Sequence, residues 1–494
     1  MRSRLRRIRA GVGLKPHALL AVLALACGGD DLGGPAPVRG IAIISGSEVT
    51  DSAGTLLTAP LIVEVHDSSG ALAPPGTLVR FEVVDTVGRT LLAPFSGGPY
   101  DVRVSRNIND ARRTQVFVSL ATIPGVVRVA ITAPTLGVAD TARFIVVPGG
   151  PAEIFLAPAD TAIILGRSYT LRGAVRDKYR NARPEPIAWS GPATGMSVTS
   201  GGIVTATAVG RYRITGTAAG FTDSVKLSAV PPALLAVFDP VRSEVVTIEL
   251  DGSNRRVRVA ATDGGIGVRP RWLPGSDRII YSTYEGNLQE LRVVDAAGAS
   301  LPFLSAPPPT MSHQADAAPS ADGSWMYFAA YDTRCLFPDY CLFRSRLDGS
   351  SPELLGNDAN PNQKSFRPSP SPDGKRVVFT TLSANPELLR VLDAETRTLM
   401  PWTLPGIFPQ WSPVGDVIAY QEGGGELKLV NSDGTGARVL VPGPGFYREG
   451  GFSWSPDGQW LVRRGPTQFE LVIVSTGEVL PIQPLVDLRE PSWK

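Results

Sequence analysis

The chain has 494 residues and a formal charge of +2, from 48 Lys and Arg against 46 Asp and Glu. So even a balance gives no reason to expect a nucleic-acid partner, which would call for a basic face. The 52 Gly and 44 Pro residues make up about a fifth of the chain, against roughly 12% in average usage; this surplus of turn formers excludes a helical bundle, while 43% hydrophobic residues exclude a disordered chain.

Residues Met1–Arg9 are densely basic, and Ala18–Ala26 form an apolar run of nine. Nine helical residues span about 14 Å at ~1.5 Å each, too little for a bilayer core. A basic start, a short apolar run and small residues at its end describe a signal peptide over residues 1–26, so export is expected. Cys27, followed by Gly28-Gly29-Asp30-Asp31, resembles the lipidation site of bacterial lipoproteins. That resemblance implies a membrane-anchored protein of the periplasm or cell surface, with Cys27 as its lipidated first residue. Ala24-Leu25-Ala26 also fits an ordinary signal peptidase, which would leave Cys27 unlipidated. Loss of residues 1–26 removes six basic residues and no acids, leaving 42 basic against 46 acidic residues and a charge of −4. Residues 27–37, rich in Gly, Pro and Asp, are expected to form a flexible tether.

Two further cysteines, Cys335 and Cys341, lie six apart. In an oxidising compartment a disulfide can close that loop; two free thiols are the alternative. The segment offers too few ligands for a metal.

From residue 38 to 230 short alternating runs are separated by turn signals, as in Leu61-Ile-Val-Glu-Val65 and Val126-Val-Arg-Val-Ala-Ile131. Such spacing indicates β-sandwiches. Pro148-Gly-Gly-Pro151 separates residues 38–148 from residues 150–230. The first segment carries Thr50-Asp-Ser-Ala-Gly54 and Pro60-Leu-Ile-Val-Glu-Val-His-Asp67, and resembles invasin-type bacterial Ig-like domains. The second carries Ala188-Trp-Ser190, Gly202-Ile-Val-Thr-Ala206 and Gly210-Arg-Tyr-Arg-Ile-Thr215, and resembles a second bacterial Ig-like type. The resemblance implies spacer or adhesion modules.

Residues 233–494 repeat a strand, a Ser-Pro-Asp-Gly-like turn and an apolar strand. The equivalent positions 274, 321, 372, 413 and 456 are 47, 51, 41 and 43 apart. Ser caps such a turn, Pro presets φ and Gly accepts a positive φ, so the turn aspartates Asp373 and Asp457 are expected to be structural. Six hairpin turns accompany only five complete units. The first repeat starts at its apolar strand, and Arg489-Glu-Pro-Ser-Trp493 supplies the missing one. A six-bladed β-propeller closed by the C-terminal strand accounts for both ends. Phe452-Ser-Trp-Ser-Pro-Asp-Gly458 and Phe408-Pro-Gln-Trp-Ser-Pro413 resemble the TolB-type propeller family, which implies protein partners in an envelope complex. The expected architecture is all-β: two Ig-like sandwiches followed by this propeller.

Chemistry is sparse. Apart from His17 in the signal, only His66 and His313 occur, and no Gly-x-Ser-x-Gly elbow or His-Glu-x-x-His string is present. No catalytic residue, metal or cofactor is assigned. The innermost strands precede the turns, and alternation places Arg269, Asp316, Arg367, Phe408, Gly451 and Glu490 in one ring, with mostly Pro on the other side. Internal ion pairing in a solvated channel is one expectation for this ring. A ligand site at one mouth, with His313 and Arg448, is the other. Phe337 and Tyr340, in the insert closed by Cys335 and Cys341, are expected as exposed anchors. The function expected is a non-enzymatic lipoprotein whose propeller binds a protein or glycan. The alternative is an exported hydrolase or lyase acting on sugars or peptides in the channel, for which two facing carboxylates would suffice.

Overall fold

The computed structural model describes residues 39–494, except 86–89, 93–97, 107–111, 261–264, 286–287, 336–338, 357–363, 383–385, 423–424 and 444–450. The expected signal peptide and tether, Cys27, Phe337 and Arg448 lie outside the described residues. Every described element is a strand. The chain divides into two compact units, Met1–Val147 and Pro148–Lys494.

In the first unit a three-stranded sheet (Gly40–Ser45, Leu61–His66, Arg113–Val116) accompanies a five-stranded one built around Gly125–Ala133 and Val138–Val147. Leu61, Val63 and Val65 alternate inward to meet Phe81, Ile131 and Phe144 in one core.

The second unit opens with a smaller sandwich. Its sheets are Asp160–Ile164, Phe221–Val230, Gly210–Ala218 and Ala188–Ser190; Ser168–Thr170, Ile203–Ala206 and Met196–Val198; and the pair Pro151–Ala157 with Arg172–Asp177. Asp177 ends the last of these strands, 1% exposed. Its carboxylate accepts hydrogen bonds from the backbone N–H of Gly149 (2.8 Å), Tyr179 (2.8 Å) and Asn181 (2.9 Å), and from Asn181 Nδ2 (2.8 Å). Burial pushes its pKa up, but these donors outweigh it and hold the carboxyl below its ordinary value.

The sandwich does not end before the next element begins. Ala162, Ile164 and Val230 share one core with Leu235, Val246, Ile248, Leu480 and Ile482. Arg167 crosses the same junction to Glu249 (2.5 Å) and Asp251 (3.4 Å). The boundary expected at residues 230–233 therefore lies inside a shared hydrophobic core.

Among the described residues six antiparallel sheets follow. Blades 2 to 6 begin with their inner strands, Gly265–Trp272, Met311–Pro319, Lys364–Pro370, Ile407–Trp411 and Phe452–Trp454. Each runs outward through successive hairpins, and blade 4 gains an extra short strand, Leu404–Pro405. Blade 1 is Leu234–Asp239, Glu244–Glu249 and Arg256–Val259, and its inner strand is the C-terminal Arg489–Trp493: Leu235 pairs with Trp493, and Ala236 with Ser492. This half of the chain is a β-propeller by its own sheet topology.

The repeated turns are held by one device. Ser320, Ser371 and Ser455 each donate to an aspartate two residues on (2.6, 2.6 and 2.5 Å) and accept the N–H five residues on, at 3.0 Å each. Asp322, Asp373 and Asp457 thus serve the turn. Neighbouring blades also meet closely at hairpin tips. Gly477 has φ +74°, and a Cβ there would stand 2.5 Å from the carbonyl oxygen of Leu440 in blade 5. Gly477→Ala is expected to lower the unfolding free energy by ~2 kcal/mol, from left-handed strain plus that clash. Urea unfolding checks this, and a loss no larger than that of an ordinary surface substitution would contradict it.

Candidate functional site

The inner strands share a local anomaly. Arg269, Asp316, Arg367, Phe408, Gly451 and Glu490 all have positive φ, between 52° and 58°. In blades 2 to 5 the ladder register shifts across this point, for example between Val268 and Arg271 and between Phe366 and Ser369. These are β-bulges, in which one residue leaves the ladder and the strand bends. Pro follows the ring residue at 270, 368, 409 and 491. A proline at a bulge leaves no orphan N–H where the ladder is interrupted.

The structure brings all six ring residues to one cavity. Arg269 is the centre of a charge network. Its Nη1 is ion-paired with Asp316, and its Nε stands 3.4 Å from Glu490 Oε1. The acids also tie blade to blade. Glu490 accepts the N–H of Arg269 (2.6 Å), and Asp316 accepts that of Arg367 (3.1 Å). The Arg367 guanidinium lies 3.7 Å above the Phe408 ring, a cation–π contact. Gly451 leaves the sixth position without a side chain.

A second set of ties runs one step outward. Two residues after the ring position, Ser369, Ser453 and Ser492 each accept a backbone N–H from a tryptophan of the next blade: Trp411 (2.9 Å), Trp493 (3.0 Å) and Trp272 (3.2 Å). In blades 3 and 4 that tryptophan is replaced by Pro319 and Pro370, which have no N–H. The preceding blades carry Arg271 and Ala318 in place of the serine. In blade 5 the position is Gln410, whose carbonyl accepts Trp454 Nε1 (3.1 Å).

Arg271 is thereby released from the tie. Its Nη1 donates to the carbonyls of Pro270 (3.0 Å) and Pro491 (3.4 Å), and among the described residues no carboxylate pairs with it. Burial pulls its pKa below the usual arginine value, against the opposing pull of Glu490. It stays protonated nonetheless.

The cavity has a volume of about 210 Å³. The bulge ring forms one end, and the turn residues Ala321, Pro372 and Pro413 line the other. Pro319, Pro368, Pro370, Pro409, Trp272 and Trp411 contribute to the walls. Its lining holds three arginines (269, 271, 367) against two acids (316, 490).

Other expected site residues lie elsewhere. His313 does not line the cavity. It packs with Tyr331 and Tyr340 (ring centroids 6.1 and 6.5 Å), and its Nδ1 accepts the N–H of Gln289 (3.2 Å). Tyr340 is not an exposed anchor: it is half-buried, its ring 4.7 Å from that of Phe366 and its hydroxyl 3.1 Å from Gln289 Oε1. Cys335 and Cys341 lie with Cα atoms 6.5 Å apart, and both are buried in a core with Met326, Phe328 and Phe343. Among the described residues no group of three or more His, Cys, Asp or Glu is placed to hold a metal ion. Arg271 is a cavity residue outside the expected ring, although alternation from Arg269 puts it on the same face; a further sign of it is the proline at 319, where a repeat would have tryptophan.

No protein-family model matches the chain, and no curated protein matches it in sequence. Similar solved structures include TolB from Acinetobacter baumannii, with TM-score 0.42 and 16% identity over 62% of this chain and 82% of that one. A nidogen/laminin complex has TM-score 0.40 and 8% identity over 53% and 98%. An oligogalacturonate lyase from Vibrio parahaemolyticus has TM-score 0.32 and 9% identity over 51% and 85%. Sheet topology, repeated turns and the ring of bulges together make the C-terminal half a β-propeller with a central, arginine-lined cavity.

Proposed function

We propose that the chain is a non-enzymatic binding protein of the cell envelope. In this reading residues 1–26 direct export and Cys27 carries a lipid. Two Ig-like sandwiches hold out a closed six-bladed propeller, and the turn-side mouth of its cavity receives a protein or glycan partner. The observation that carries it is the state of the two cavity acids. Asp316 and Glu490 are both engaged by Arg269 and by backbone N–H groups, so they serve the ring instead of standing ready as an acid–base pair. What remains for a ligand is a positively biased pocket with rigid walls, which suits recognition.

The test is partner capture from native envelopes with the full chain. Ala321 is an exposed turn residue at the mouth. Ala321→Trp is expected to leave the melting temperature unchanged and to weaken capture by about tenfold or more. Capture that is indifferent to Ala321→Trp, and also to removal of the whole unit Pro148–Lys494, would overturn the proposal. The larger cut is the right one, because ending at residue 232 would bare Ala162, Ile164 and Val230.

A further inference from the structure

We propose that the cavity takes a carboxylate on a compact apolar stem, with Arg271 as the residue that receives the anion. This rests on the binding reading above and names the chemistry of the bound group. Arg269 is already held by both acids of the ring, whereas Arg271 has only backbone carbonyls. Both of its hydrogen bonds leave from Nη1. The Nε and Nη2 edge has no partner among the described residues, and that is the edge whose paired N–H groups match the two oxygens of a carboxylate. The lining carries one positive charge in excess, so one anion neutralises it.

The walls decide the rest of the ligand. Pro319, Pro368, Pro370 and Pro409 have no N–H to offer. Against them a sugar hydroxyl meets no N–H donor and is left with acceptors alone. An apolar stem suits those proline rings. A volume of about 210 Å³ fits one such group. The carboxylate can come from a free small acid or from an acidic side chain of a partner chain, and the test separates them.

The full chain is titrated, with tryptophan fluorescence as readout, against 4-phenylbutyrate and its amide, and against N-acetyl-Leu-Glu-amide and its Gln counterpart. At least one acid is expected to bind saturably, about tenfold or more tighter than its neutral partner. The first pair reports a free acid, the second a side chain. Arg271→Gln should lose that preference while melting no lower than the native protein, since it removes a desolvated charge; Arg271→Lys should keep part of it. The proposal is overturned if neither acid binds, if acids and amides bind alike, or if a folded Arg271→Gln binds as the native protein does. Should Arg271→Gln fail to fold, the acid–amide comparison on the native chain decides. If Ala321→Trp abolishes partner capture while no acid binds, the mouth is a partner site and only the Arg271 assignment falls. If acid binding follows Arg271 while capture ignores Ala321→Trp, this inference stands and the partner reading falls.

Discussion

Asp316→Ala is expected to lower the unfolding free energy by about 3–5 kcal/mol, the range for removing one member of a buried ion pair. The Asp316 side chain is 3% exposed and holds two neighbours at once, the Arg269 guanidinium and the N–H of Arg367. Without it Arg269 keeps only Glu490, and the blade 4 bulge loses the acceptor that offsets its left-handed backbone. Asp316→Asn keeps an oxygen for the Arg367 N–H and loses the charge, so it should fall between. Urea unfolding followed by fluorescence reads this directly, because Trp272, Trp411 and Trp454 are buried beside the ring. A loss under ~1 kcal/mol, the size of an ordinary hydrogen bond, would mean that the ring is not held by its charges.

The second large effect is expected at Asp177→Ala, also about 3–5 kcal/mol, since four donors around a buried carboxylate would lose their acceptor together. Asp177→Asn should recover little, because its amide turns a donor toward donors. The pH dependence has a definite sign. The folded-state pKa of Asp177 is depressed, so between that value and the unfolded one, near 3.9, the unfolded chain binds more protons. The stabilisation is therefore complete above about pH 4–5 and fades as pH falls through the folded pKa. Burial opposes and hydrogen bonding to Arg334 lowers the pKa of Asp332 in blade 3; Asp239 in blade 1 is likewise lowered by donors including Arg242 and Arg255, and both add the same sign. Native unfolding profiles at pH 7 and pH 3 should differ, and the Asp177→Ala profile should differ less. An equal pH effect in the variant would contradict the assignment.

Much of this molecule was legible in its residues, and the limits have physical causes. Strands, turn repeats and ring positions follow from local rules: alternation, the φ demands of Ser-Pro-Asp-Gly, and a fixed offset from the turn. Alternation alone, however, assumes an unbroken ladder. It put the prolines on the far side, whereas the bulge changes the count, and Pro368 and Pro409 line the same cavity as Arg367 and Phe408. The prolines at 270, 368, 409 and 491 were the available warning, because a central strand accepts proline only where pairing is interrupted. His313 was expected with Arg448 at one mouth of the ring, yet the three residues from it to Asp316 cover about 10 Å of extended strand. The shared core at residues 230–235 was hidden for another reason: an apolar strand end looks the same whether it faces its own domain or the next one.

The ties between serine and tryptophan N–H groups make the blades an ordered set. Each blade presents either an acceptor or none, and its neighbour presents either an N–H or a proline. Five of the six repeats look exchangeable from their turns, but exchanging blades 3 and 5 would face Arg271 with a tryptophan N–H and Ser369 with a proline. Opening the ring at another joint and linking the present ends would instead preserve every neighbour relation. The molecule thus specifies the cyclic sequence of its blades chemically, independently of where the chain starts.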